Sequence, residues 1–199
     1  MKKTHLLYLI YRRLRIGLQV FGFILMYGAY TNNLTIPLFL AGFGFAFLDI
    51  FGVCYNDYHD YETDIRNKRT DKWITAGLLT RKQMKIFSFL TLFVGLSLLF
   101  FTNNFVLAIG IYYTIILIGY SHPKIPLGRN IGTYLILGTY YLPLPYALST
   151  LFSTKFTIFD IFFTLFCFFQ AVYLITHKDV NDIKDDTNIF LGGNGTRLF

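Results

Sequence analysis

Three long stretches of this chain, 16–48, 86–123 and 130–154, carry no charged residue. A membrane-spanning helix needs about 20 predominantly apolar residues, and charge-free runs of that length are its signature. The first two stretches are too long for one span, and each is cut by a polar turn, Thr31-Asn32-Asn33 and Thr102-Asn103-Asn104. The pattern predicts six helices, near 14–30, 35–55, 84–101, 105–121, 131–151 and 157–177. Composition agrees. Hydrophobic residues make up 54% of the chain and charged ones 15%, against roughly a quarter charged in a soluble domain. No low-complexity linker divides the sequence, so 1–199 is expected to form one all-α, multi-pass membrane domain.

The basic residues orient this bundle. Of 18 Lys and Arg, all but Lys155 fall on one side of the six-helix arrangement: at the N-terminus, after the second and fourth helices, and in the tail. Cytoplasmic loops carry such an excess. Both termini and the loops after even-numbered helices are therefore expected in the cytoplasm, with the cell (inner) membrane as the expected location. Topology and anionic lipid account for the net charge of +7 without nucleic acid as a partner. The N-terminus is no convincing signal peptide, because Arg12, Arg13 and Arg15 follow a short apolar run with no small-residue cleavage site. Cys54 and Cys167 stand alone in apolar segments, with no metal-type spacing and no case for a disulfide framework.

Against this apolar background two acidic clusters stand out. Asp57, Asp60 and Asp64 follow the second helix, and Asp179, Asp182 and Asp186 follow the sixth. Both sets have the spacing i, i+3, i+7, which places the carboxylates on one helix face. Like charges so close repel, so a cation is the natural reason for grouping them. Oxygen-only clusters suit a hard cation such as magnesium, often held together with substrate phosphates. Each cluster alone could equally be solvated residues at a helix end. The matched pair favours an internal repeat of about 122 residues, with a shared site between halves. Asp49, inside the second helix and on the face of Asn56, is expected either to line that cavity or to make a buried polar contact. His59 and His177 adjoin the clusters but are not assigned as ligands, because hard cations prefer oxygen.

The residues also carry a family resemblance. Asn56-Asp57-x-x-Asp60-x-x-x-Asp64, followed by Asn67-Lys68-Arg69-Thr70-Asp71-Lys72 and Thr75-Ala76-Gly77-Leu78-Leu79-Thr80, resembles the first signature of the UbiA intramembrane prenyltransferases. Tyr120-Ser121-His122-Pro123 is similar to that family's Tyr-Ser-x-Pro element, and Asp179-x-x-Asp182-x-x-x-Asp186 to its second aspartate motif. Gly195-Thr196-Arg197-Leu198 sits where the family has a Gly-x-x-Thr-type stretch. The chain departs from the pattern at Tyr61, where many relatives have Arg, and at Lys72-Trp73, which replaces the usual Arg-Pro.

The resemblance implies transfer of a prenyl group from a polyprenyl diphosphate to an aromatic or other lipophilic acceptor. It implies one magnesium on Asn56, Asp57, Asp60 and Asp64 and a second on Asp179, Asp182 and Asp186. The catalytic set would be Asp57, Asp60, Asp179 and Asp182 with Lys124 and Tyr120. Lys68, Arg69 and Lys124 would bind the diphosphate, with Arg66 and Lys72 as further basic candidates. The family fold has nine membrane helices, so a chain ending at Phe199 is expected to hold six of them and to lack the C-terminal ones. An acidic-cavity cation transporter and a catalytically inactive relative remain alternatives.

Overall fold

In the computed structural model, residues 3–122, 139, 144–152 and 155–187 are described; side chains are described over 11, 14–122, 139, 144–152, 155–170, 172 and 173. Among them the chain is all-helical and contains no strand. The helices are α1 (Lys3–Tyr30), α2 (Ile36–Arg66), α3 (Arg81–Phe100), α4 (Asn104–Ser121), α5 (Leu144–Leu151) and α6 (Ile158–Thr187). α2, α3 and α4 are each long and apolar enough to cross a membrane, and shorter apolar segments cover Leu14–Tyr30 and Ile158–Gln170. Of the expected helix near 131–151, residue 139 and the last part, α5, lie within the described helical residues.

The predicted turns fall where polar residues cut the apolar runs, and their chemistry explains it. Asn32 takes a left-handed backbone, φ 54°, which asparagine tolerates better than most residues. Asn103 caps α4 by accepting from Val106 N–H at 2.8 Å and donates to Thr150 Oγ1 at 3.0 Å, tying α4 to α5. Three helices outrun their predictions: α1 starts at Lys3, α2 ends at Arg66 and α6 reaches Thr187. The apolar stretch stops before the helix does, because polar residues beyond the membrane can go on forming backbone bonds. At 1.5 Å per residue, α2 is roughly 46 Å long against a hydrocarbon layer of about 30 Å. Its last turns, which carry the first acidic cluster, project past the apolar part.

α1 and α2 pack antiparallel around a core that includes Ile24, Tyr27, Leu38, Phe45 and Leu48, joined by Leu99 of α3 and Val106 and Tyr113 of α4. Small residues let the backbones approach, as is common between membrane helices. A Cβ on Gly17 would lie 2.7 Å from the Ala46 carbonyl oxygen. α6 packs on α1 in antiparallel fashion, pairing Phe159 with Tyr30, Phe163 with Tyr27 and Phe166 with Phe23. Tyr27 Oη donates to Asp160 Oδ1 at 2.6 Å, and Asp160 Oδ2 accepts from Thr157 N–H and Oγ1 at the start of α6. Because α1 is antiparallel to both, α2 and α6 run in the same direction. Their C-terminal ends, each carrying an acidic cluster, therefore point toward the same end of the bundle.

Candidate active site

The segment after α2 folds back on the helix that precedes it. Asn67 N–H returns to Thr63 O, Lys68 takes φ 51°, and Arg69 N–H bonds Asp64 O at 3.0 Å. Trp73 and Ile74 then bury themselves against Ile50, Cys54 and Met84, with Tyr58, Tyr61 and Phe87 around them. Gly77, at φ 74°, supplies the left-handed residue that turns the chain toward α3. Thr80 and Gln83 form a capping box at the start of α3. Two apolar anchors thus hold an otherwise polar loop over the end of α2.

This fold-back delivers Lys72 into the first aspartate cluster. Its Nζ lies 2.6 Å from Asp64 Oδ2, 3.3 Å from Asp57 Oδ1 and 4.0 Å from Asp60 Oδ2. Asn56 Nδ2 donates to Asp60 Oδ2 at 2.7 Å. The side chains of Lys72, Asp57 and Asp64 are 7%, 2% and 5% exposed, whereas Asp60 is 22% exposed. The site is therefore nearly dry on its inner side and open at Asp60. Burial holds the Asp64 carboxyl above the usual carboxylate range, with Lys72 pulling the other way. The residues expected from sequence as one metal-binding face do converge, and an ammonium sits among them.

The fit to a hard cation can be judged from these donors. Three carboxylates converge on one helix face through oxygen, while the Asn56 amide turns its Nδ2 toward Asp60. That is the donor set for magnesium rather than for a softer metal. In the geometry around Lys72, no group of three His, Cys, Asp or Glu among the described residues is arranged to hold a metal ion.

The other predicted residues are distributed differently. Lys68 is exposed, and Arg69 forms a bidentate pair with Asp71 at 3.1 Å. Arg66 bonds Glu62 O and Thr63 on its own helix. Tyr120 is half-buried and packs against the main core near the end of α4. Lys124, Pro123 and Gly195–Leu198 lie outside the described residues. Asp179, Asp182 and Asp186 fall in the last turns of α6, and their side chains lie outside the described ones. Tyr61 faces the Arg81 guanidinium, which lies 5.5 Å from its ring and 5.2 Å from that of Tyr58 while pairing with Glu62 at 2.9 Å. A cation is thus present beside position 61, brought from α3 rather than from α2.

Two further polar features join α2 to α4. Tyr113 Oη donates to Asp49 Oδ1, so Asp49 makes a buried polar contact across the helix pair. His59 packs among Tyr55, Tyr58 and His122, with 5.5 Å between the two imidazole centroids. Burial lowers the His59 pKa, and the neighbouring His122 adds to that effect. At the opposite end of the bundle, Met26, Tyr30, Phe159, Phe162, Phe163 and Phe166 line an apolar groove, remote from the acidic chemistry.

Membrane-length helices bundled around a buried acidic cluster define an integral membrane protein. The model of the UbiA prenyltransferase family matches residues 17–190. The chain belongs to the UbiA prenyltransferase family. Comparison with curated proteins and with solved structures gives no match.

Proposed function

We propose that this protein is a magnesium-dependent prenyltransferase, moving the prenyl group of a polyprenyl diphosphate to an aromatic or other lipophilic acceptor. The observation that carries the reading is the convergence of Asp57, Asp60 and Asp64 on one point, held by the Lys72 ammonium, inside a chain whose family match spans both aspartate motifs. The parallel course of α2 and α6 supports a second carboxylate set, Asp179, Asp182 and Asp186, at the same end. We place these ends in the cytoplasm and the bundle in the cell membrane, on the basic-residue bias.

In this mechanism Asn56, Asp57, Asp60 and Asp64 would hold one magnesium, and Asp179, Asp182 and Asp186 would hold another. Bound there, magnesium supplies positive charge to the diphosphate as it leaves. Lys68, Arg69 and Lys124 add cationic contacts to the same anion. Breaking the allylic C–O bond leaves a cation on the prenyl group. The acceptor attacks that carbon and then loses a proton. Aromatic side chains such as Tyr120 offer ring faces to a cation, and the apolar helices keep water from intercepting it.

The test is prenyl transfer by purified protein in detergent or lipid, with magnesium titrated. Asp60→Asn and Asp182→Asn each keep side-chain size and lose charge. Each is expected to lower turnover by at least about 10²–10³-fold, the cost typical of losing preorganised electrostatic stabilisation. Wild-type rates in both variants across the titration would rule the mechanism out. A transporter would instead move cation into liposomes without diphosphate.

A further inference from the structure

Building on the prenyltransferase reading, we propose that Lys72 is an internal counter-ion of the first aspartate cluster, which a divalent metal must displace to bind. One ammonium reaches carboxylates from three successive turns of α2, at 2.6, 3.3 and 4.0 Å. Charges as deeply buried as Asp57 and Asp64 are stable only when paired. Lys72 provides that pairing, and it holds the three carboxylates on one centre before any metal arrives.

The ligand chemistry favours exchange. The three carboxylates that meet this ammonium are oxygen donors of the kind a hard divalent ion takes. The exchange needs no backbone movement. Trp73 and Ile74 are buried and fix the loop, while the lysine ammonium is a compact charge on a flexible four-carbon stem. Rotation of that stem vacates the centre, and Asp60, the most exposed of the three, leaves the way in open. An arginine here would engage the carboxylates through a rigid fork and would release them less readily. Lysine at this position therefore sets how firmly the chain competes with its own metal.

Metal binding by the 199-residue chain in detergent tests this, with Mn2+ as the spectroscopic probe followed by electron paramagnetic resonance and no diphosphate present. Lys72→Met removes the competitor and is expected to bind Mn2+ at least about tenfold more tightly than wild type. Lys72→Arg is expected to bind no more tightly than wild type. Adding Asp60→Asn to Lys72→Met is expected to remove the gain, which assigns it to this cluster. Thermal unfolding supplies a second measurement. Without metal Lys72→Met is expected to melt below wild type, and Mn2+ is expected to raise its melting point by more than it raises that of wild type. Equal or weaker Mn2+ binding by Lys72→Met, or an equal or smaller thermal response, overturns the proposal. Tighter binding by the variant together with no prenyl transfer by wild type leaves the inference standing and counts against the prenyltransferase reading. Prenyl transfer by wild type with unchanged Mn2+ binding by the variant does the reverse.

Discussion

Each deeply buried carboxylate in the described part of this chain meets a donor from a different segment. Tyr113 serves Asp49, Lys72 serves Asp57 and Asp64, and Tyr27 serves Asp160. A polar group placed in hydrocarbon without a partner is costly, so these pairs also fix which helices lie together. Asp160 shows the two roles separately. It bonds α1 through Tyr27 and caps its own helix through Thr157. Tyr27→Phe removes the first role alone and is expected to cost about 0.6 kcal/mol, the average for such bonds between membrane helices. Asp160→Ala removes both and is expected to cost about 1 kcal/mol more. Denaturant titration of the detergent-solubilised protein would check the order; equal losses would remove the cap from the account. Lys72 marks the limit of sequence reading at this scale. Lys68, Arg69 and Lys124 were expected to contact diphosphate, with Lys72 as a further basic candidate, and it is Lys72 that reaches the cluster. Which lysine arrives depends on the tertiary fold-back. A usable signal was the chain's single tryptophan, adjacent to Lys72 in a polar loop and in need of burial.

Among the elements, α2 organises the rest, since α1, α3 and α4 all pack on it. The α1–α2 contact rests on glycine. At Gly17 a Cβ would press on the backbone oxygen of Ala46, whereas at Gly22 it would meet nothing within 4 Å. Gly17→Ala is therefore expected to destabilise the protein by about 1–3 kcal/mol, the usual cost of overpacking. Gly22→Ala is expected to be neutral or slightly stabilising, because alanine favours helix. Melting temperatures of the two variants in the same detergent check this, and equal losses would show that helix geometry rather than close approach is at stake. The helices and their polar turns were legible because charge-free runs and asparagine turns are local signals. The helix ends were not, since apolarity reports where the membrane stops and backbone bonding runs on to Arg66 and Thr187. The face shared by Asp57, Asp60 and Asp64 was legible from spacing alone.

For the whole molecule, direction is the main result. Two helices parallel to each other carry both acidic motifs to one end, an arrangement that the six-span count and the basic-residue bias anticipated. The side of the membrane on which that end lies is open to direct measurement. Lys68→Cys is expected to resist a membrane-impermeant thiol reagent in intact cells and to react once the membrane is permeabilised. Asn33→Cys is expected to react in intact cells. Cys54 and Cys167 are buried, which keeps the background low. Labelling of position 68 from outside with silence at position 33 would invert the orientation.

On the prenyltransferase reading, the length of α2 also bears on how a substrate would be met. With its first turn at one face of a hydrocarbon layer about 30 Å thick, the helix would outrun that layer by roughly 16 Å, which would bring its acidic turns into the headgroup region and just beyond it. A polyprenyl diphosphate dissolved in the bilayer keeps its anionic end at that same depth and its tail among the acyl chains. Encounter is then a lateral search in two dimensions, at fixed height and fixed orientation. The concentration that governs it is the number of substrate molecules per unit area of membrane, a quantity set by lipid supply and indifferent to the volume of the surrounding water.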